Sequence, residues 1–456
     1  MSRGSMSGER GPEDREARAR DTGAGERDSD KEPSRSREGH RGGTFVSFRY
    51  RDFRLLWTGA FVSNLGTWIH NTALLWQVKE WTGSNSWVGV VNLASFLPIF
   101  LFILWSGSLA DRLDRRRLIM TTQTLMMIGA LALGVYVSLG FSSLAWIICI
   151  TAFMGTAFVF NFPAWRAIIP DLVPGEHLLN GVALDAAQFN LARSVGPMLG
   201  SVILAVWGAA TAFYVNALSF LAVIFAVAAM KTRTPRLSPR SGVWEEMVTG
   251  IRYVLTHAWS RNLLILLSVT SFFGFSFVVT LPGLARDVLH RGSEGLGMLL
   301  GAIGLGAFLG APLVTFLRTY WREKTIIKLS ALSFGLFVIA MALCRNLWIC
   351  LILGVANGVS GLMLSSVINA VLQARVERGM RGRIMSMYIL VFQGIYPLGG
   401  LFYGFLSDAT SVPFALLVGG SLCVAVGVVA AAFPSLLREV SSRAGATPVP
   451  LPGGDD

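Results

Sequence analysis

Few side chains in the apolar part of this 456-residue chain can do chemistry, and those few stand at helical spacings. Wound at about 100° per residue, Asp185, Arg193, Gly196 and Gly200 fall within about 80° of arc. Arg193 stands near the middle of its apolar run. A guanidinium at mid-depth of a membrane is costly, so it should face a polar cavity or a partner and not lipid. Asp185 stands about two turns nearer one end of the run, so the two can line one path. Two readings of Arg193 and Asp185 stand. Either they contact a substrate or a proton, or they form a buried pair that holds the helices together. The second reading suits Asp185 better, because it sits near the mouth of the run.

A second polar stripe joins them. Ser63, Asn64, Thr67, His70 and Asn71 fall within about 120° of arc, and such a stripe on an apolar helix should face the cavity. His70 can change charge near neutral pH and so could carry a proton. The competing reading is a histidine hydrogen-bonded to a neighbouring helix. Gln393 and Tyr396 stand at an offset of 200 from Arg193 and Gly196 and are expected to line the same cavity from a repeated half.

Other chemistries lack their residues. The Gly-rich run Gly297, Gly301, Gly304, Gly306, Gly310 holds only a lone G-x-G, with no Lys at P-loop spacing, and reads as close helix packing. There is no HExxH and no nucleophile elbow. Cys149, Cys344, Cys350 and Cys423 form no CxxC and read as inert thiols, with a disulfide between Cys344 and Cys350 as the lesser alternative. No metal, no cofactor and no nucleic-acid partner is expected.

The elements that must position these residues are membrane helices. The chain is 53% hydrophobic and only 14% charged, with a mean hydropathy of +0.56, whereas a soluble domain carries about 25% charged residues. Twelve apolar runs are each long enough to cross a bilayer: 55–78, 86–109, 118–139, 143–164, 182–206, 211–230, 262–284, 295–317, 326–344, 347–371, 384–407 and 412–433. They are too long and continuous for barrel strands. Positive charge gathers on one side. Arg112, Arg115, Arg116, Arg117 and Arg166 lie there, with Lys231, Arg233, Arg236, Arg240, Arg252 and Arg261 of the middle linker. Arg318, Arg322, Lys324, Lys328, Arg375, Arg378, Arg381 and Arg383 follow. The opposite loops hold only Lys79, Arg286, Arg291 and Arg345. This bias predicts both termini in the cytoplasm.

The same reading divides the chain. Residues 1–44, with ten basic and ten acidic residues, are expected to be a disordered cytoplasmic tail and not a signal peptide. A short basic and aromatic lead-in, 47–57, should lie at the membrane surface. Residues 45–230 form a six-helix bundle, 231–261 a cytoplasmic linker, 262–433 a second six-helix bundle and 434–456 a cytoplasmic tail. The halves echo each other: Pro197 matches Pro397 and Gly200 matches Gly400, again at an offset of 200.

The strongest motif is Gly107-Ser-Leu-Ala-Asp111-Arg112-Leu-Asp114-Arg115-Arg116-Arg117 between the second and third runs. Gly107 permits close helix packing, and Asp111 can accept hydrogen bonds from a helix N-terminus, where the dipole favours an anion. The segment resembles the loop signature of the major facilitator superfamily, G-x-L-A-D-R-x-G-R-[KR], with Asp114 in place of the second Gly. Pro163–Pro174, Leu179–Asp185, Phe189–Pro197 and Arg381–Gly399 resemble the enterobactin-exporter and macrolide-efflux branch, and the resemblance covers roughly 48–434. Gly196, Pro197 and Gly200 resemble the fifth-helix antiporter signature G-P-x-x-G-G, with Ser201 for the last Gly. The Arg usual in the fourth helix of proton antiporters is missing from Ile148–Gly155.

The resemblance implies an all-α membrane protein of twelve helices in two pseudo-symmetric bundles. It implies that Gly107, Asp111, Arg112, Arg115 and Arg116 latch the halves in the outward-facing state. The expected activity is export of a drug, secondary metabolite or siderophore across the inner membrane by alternating access, with protons as the coupling partner, by a monomer. A facilitator-fold importer is one alternative. A non-transporting sensor or membrane enzyme is the other, but the chain shows neither a soluble domain nor a cluster of His, Asp or Cys at one depth.

Overall fold

The computed structural model describes residues 45–232, 243–377 and 380–432, without the side chains at 104, 108, 110–112 and 243–247. The expectations for the two tails and for much of the middle linker lie outside the described residues. Among the described residues every regular element is a helix. In order they are α1 (Arg51–Thr82), α2 (Asn85–Arg112), α3 (Arg115–Ser138), α4 (Leu144–Leu172), α5 (Leu178–Ala229), α6 (Val243–Thr256), α7 (Ala258–Val269), α8 (Leu281–Gly283), α9 (Ser293–Tyr320), α10 (Glu323–Leu343), α11 (Leu347–Arg375), α12 (Arg381–Ile389), α13 (Tyr396–Ala409) and α14 (Val412–Ala432). Ten stretches are long and apolar enough to cross a membrane. A bilayer leaves backbone polar groups no solvent partner, so a chain this apolar closes its hydrogen bonds within each helix.

Two features of the helices were not legible as apolar runs. The fifth and sixth runs form one 52-residue helix, α5, broken at Gly208 (φ 80°, ψ 172°), a backbone conformation open essentially to glycine alone. The seventh run is irregular. After α7 it passes through a π-helical turn at Thr270–Gly274, a 3-10 segment at Phe275–Thr280, α8 and a second π turn at Leu284–Val288. α12 and α13 are likewise joined by a π turn at Leu390–Gly394. Hydroxyls tie these two irregular paths together. Ser271 donates to the Phe392 carbonyl (2.7 Å), and Ser276 donates to the Ser271 (2.8 Å) and Tyr396 (2.6 Å) carbonyls.

Polar caps mark the turns. Asp114 is the N-cap of α3 and accepts from the Arg117 amide at 3.1 Å. Asn346 caps α11, accepting from the Trp348 and Ile349 amides. Gly83 ends α1 in the left-handed region (φ 66°).

The apolar core differs between the two ends of the molecule. At the end where α1 turns into α2, the Gly83 end, Leu74, Val88 and Phe213 from before the middle linker join Phe277, Leu296, Phe334 and Tyr403 from after it in one cluster. At the opposite end, where α2 turns into α3, the core is divided. Phe53, Leu56, Ile119, Ile168 and Val227 form one cluster. Leu263, Leu267, Ile326, Val367 and Ile384 form another. Apolar side chains such as Ile128, Leu131 and Val135 of α3 or Phe225 of α5 remain exposed, as lipid-facing positions do.

Glycine sets the closest helix approaches. A Cβ on Gly335 of α10 would lie 2.8 Å from the Gly420 carbonyl oxygen and 2.8 Å from the Val424 nitrogen of α14, whereas one on Gly382 would meet nothing within 4 Å. Gly335→Leu is therefore expected to cost about 1–3 kcal/mol through overpacking, read as a lower melting temperature of the detergent-solubilised protein. Gly382→Ala should leave that temperature within error of the wild type.

Candidate functional site

α5 is gripped on two sides around Arg193. Towards α1, a Cβ on Gly196 would lie 2.5 Å from Trp68 Cβ, and one on Gly200 would lie 3.0 Å from the Ile69 Cα. On another side, a Cβ on Gly304 of α9 would lie 2.5 Å from the Arg193 carbonyl oxygen. Pro197 is buried, and its carbonyl meets Gly297 of α9. The antiporter-like trio Gly196, Pro197, Gly200 thus makes close helix contact, as a ridge of small residues should.

With the backbone so fixed, the Arg193 side chain extends over Trp68 of α1. Its guanidinium lies 5.7 Å from the centroid of the Trp68 ring, a cation–π contact. The Tyr396 hydroxyl lies within electrostatic reach of it. Trp68 in turn packs edge-on against Phe189 (6.2 Å between centroids), and Tyr396 packs edge-on against Phe96 of α2 (5.6 Å). Arg193, Trp68 and Tyr396 are all half-buried. Among the described residues, Arg193 makes no ion pair and no side-chain hydrogen bond.

Asp185 does not pair with Arg193. It accepts from Gln188 Nε2 at 3.2 Å and from Trp165 Nε1 of α4 at 3.4 Å. Gln188 Oε1 accepts from Asn64 Nδ2 at 3.0 Å. An amide relay, Asn64–Gln188–Asp185, so links α1, α5 and α4 one to two turns from Arg193. Arg166 lies within electrostatic reach of both Asp185 and Tyr388 of α12. Trp68, Trp165, Arg166 and Gln188 were missed as site residues. The signal existed for two of them: Gln188 stands three residues after Asp185, and Trp68 four after Asn64.

His70 is placed elsewhere. Its ring packs 4.8 Å from Phe213 in the second arm of α5, it is 3% exposed, and its Nδ1 finds no partner among the described residues. It is a packed histidine between helices in this conformation. Gln393 lies half-buried in the π turn, without a hydrogen-bond partner among the described residues. Cys344 and Cys350 are free thiols.

The Arg-rich loop also differs from the simplest expectation. Among the described residues a Cβ on Gly107 would meet nothing within 4 Å, so this glycine makes no close contact with a described helix here. The reason is that the core is divided at this end. The side chains of Asp111 and Arg112 lie outside the described residues. Arg115 pairs with Asp171 of α4 (2.6 Å) and donates to the Ala167 carbonyl (3.1 Å). Arg116 donates to the Val227 carbonyl (2.9 Å) at the C-terminus of α5, where the helix dipole favours a cation. Both arginines therefore hold elements that precede the linker.

The Gly83 end is tied across the chain. Asp408, at the end of α13, accepts from the amides of Asn85 and Ser86 (both 2.8 Å) and the hydroxyls of Ser84 and Ser86 (2.5 and 2.6 Å). A carboxylate on the first turn of α2 is favoured by the helix dipole and by orphan amides. Lys79 Nζ pairs with Asp287 at 2.8 Å. Next to these ties, a Cβ on Gly89 would lie 2.8 Å from the Gly400 carbonyl oxygen, and one on Gly404 would lie 2.6 Å from that of Asn85.

A profile of the family described as transmembrane secretion effector matches residues 42–451. The chain is 23% identical to the staphyloferrin A transporter of Staphylococcus aureus, over 81% of its own length and 94% of the relative's. It is 27% identical to the multidrug efflux pump Tap of Mycobacterium tuberculosis, over 82% of its own length and 91% of the relative's. Among solved structures it is similar to a bacterial homologue of the lysosomal transporter Spinster in an inward-facing, unoccupied conformation. The TM-score there is 0.67 at 16% identity, covering 86% of this chain and 98% of that one.

Removing the Asp408 carboxylate should loosen the Gly83 end. Hydrogen bonds to a charged group contribute about 1.5–3 kcal/mol, so Asp408→Asn is expected to raise the reaction of a cysteine placed at buried Asn92 with a membrane-impermeant maleimide about tenfold in intact cells. Unchanged labelling would show that the carboxylate does not hold this end shut.

Proposed function

The chain belongs to the transmembrane secretion effector family of the major facilitator superfamily, and on that premise we propose that it exports a small amphipathic organic compound from the cytoplasm by alternating access. It is a transporter and not an enzyme. The finer reading is a twelve-helix protein. The two arms of α5 are counted as two crossings, α1 is counted as a crossing, and α12 and α13 form one. The bundles are 45–230 and 262–433, and both termini are cytoplasmic, because the Arg-rich end should lie inside.

One observation carries this reading: the core is fused at the Gly83 end and divided at the Arg115 end. Two units joined at the outer end and parted at the inner end would present Arg193 and its surroundings to the cytoplasm. The family is described as a secretion effector and one relative is a multidrug efflux pump, which supports export as the direction. To expose the other side, the Asp408 and Lys79 ties must break and the two inner clusters must meet. Gly107, Asp111, Arg112, Arg115 and Arg116 are then the latch that holds the inner end closed. On this reading the inner end is open when Arg115 and Arg116 are bound to α4 and α5. Asn64, Asp185, Arg193, Gln393 and Tyr396 line the pathway, and the proton gradient drives the cycle. His70 would join the proton path only after leaving its packed position.

The reading is tested by uptake of a panel of drugs and metallophores into energised inverted membrane vesicles, with and without a protonophore. At least one compound should accumulate, and the protonophore should abolish the accumulation. Arg193→Ala and Asp111→Asn should each reduce the initial rate about tenfold or more at unchanged membrane insertion. Wild-type rates in both variants would remove these residues from the mechanism, and loss of cargo from the vesicles on energisation would reverse the direction.

A further inference from the structure

On the proposed export pathway, Arg193 carries a charge that no carboxylate among the described residues pairs with. We infer that Arg193 is the binding group for a carboxylate on the cargo, so that the transported class is amphipathic carboxylates with an aromatic or alicyclic body, and not amphipathic cations. This rests on the export reading for its context and on the geometry around Arg193 for its content.

The guanidinium offers five N–H donors in a planar fork. Among the described residues none of them donates to the protein; the guanidinium lies against the Trp68 ring face, and the Tyr396 hydroxyl is within electrostatic reach. An aromatic face lowers the cost of holding the cation but leaves the fork's edge unused. The nearest acid along the same helix is Asp185, eight residues or about 12 Å away. Its carboxylate is already engaged by Gln188 and Trp165. A built-in ion pair is therefore not what Arg193 is for in this state.

A planar carboxylate matches the fork with two parallel hydrogen bonds, which a point cation such as Lys could not reproduce. Trp68, against the guanidinium, packs on Phe189, and Tyr396 packs on Phe96; this aromatic surround suits a flat apolar body attached to that carboxylate. An amphipathic cation would meet the same aromatic faces but would be repelled by the guanidinium, and Asp185, the nearest acid on its helix, is already hydrogen-bonded.

The test uses three probes that share one aromatic body: pyrenebutyrate, pyrenebutyramide and pyrenebutylamine. Binding to the purified protein in nanodiscs of phosphatidylcholine is followed by pyrene fluorescence, with empty discs as the blank. The wild type should bind the carboxylate at least about tenfold tighter than the amide, with the amine weakest. Arg193→Gln should bring carboxylate and amide to equal affinity while leaving the amide unchanged. Arg193→Lys should keep a reduced preference, which covers the case in which Arg193→Gln does not fold.

Equal binding of carboxylate and amide by the wild type, tightest binding of the amine, or no binding of any probe would overturn the inference. So would an Arg193→Gln variant that weakens all three equally, since that marks a structural arginine. Discs containing phosphatidylglycerol separate cargo from lipid: retained carboxylate binding supports the assignment, and its loss would give the site to a headgroup phosphate. Uptake into inverted vesicles separates this inference from the export reading. Arg193-dependent carboxylate binding without uptake would sink export alone, whereas uptake of the amide or amine without carboxylate preference would sink the carboxylate assignment alone.

Discussion

A permanent positive charge at mid-depth of an apolar bundle constrains everything packed around it. Arg193 cannot face lipid, and its helix cannot rotate to hide it. Gly196 and Gly200 lock α5 to α1 on one side, and the backbone at Arg193 touches Gly304 of α9 on another. The remaining direction is the one the side chain takes, towards the face of Trp68. The small residues of α5 and α9 therefore do more than permit close packing. They decide where the charge points, and with it where polar chemistry can occur.

The same logic explains the asymmetry of the ends. At the Gly83 end, close glycine contacts bring α2 and α13 together, and this places the Asp408 carboxylate on the orphan amides of α2. At the other end the polar ties of Arg115 with Asp171, Arg116 with the end of α5, and Asp52 with the amides of Lys231 and Thr232 stay within one half of the chain. Ties across the chain at one end and ties along it at the other are what a hinged pair of units requires. On the proposed cycle, both sets of contacts are exchanged for others when the cavity changes sides. The irregular turns at Thr270–Gly274 and Leu390–Gly394 lie between the two ends, where π-helical turns often mark functional segments.

Much of this was readable in advance, because hydropathy and helical spacing report on burial. The apolar runs located the helices, the loop signature located the family, and the arc through Arg193, Gly196 and Gly200 located the close face of α5. What could not be read was partner choice. Asp185 looked like a match for Arg193 but takes Gln188 and Trp165, because side chains three residues apart and those on a packed neighbour are nearer than one two turns away. His70 shares the polar stripe of α1 but packs on Phe213, a contact set by how α5 folds back after Gly208. Gly107 carries a family signature yet is open here, since a residue that packs in one state of a moving protein need not pack in another. The role of Asp408 left no motif, because a helix cap supplied from a distant helix has no local sequence pattern.

The central claim is that the two ends open in turn, and double electron–electron resonance measures it directly. On a background without the four native cysteines, one spin-label pair at exposed Glu80 and Thr410 reports on the Gly83 end, and another at exposed Arg117 and Arg381 reports on the opposite end. Across changes of pH and of exported cargo, the account predicts two populations whose distances shift in antiphase, the first pair lengthening as the second shortens. Distances that stay single and fixed under every condition, or that lengthen together, would contradict it.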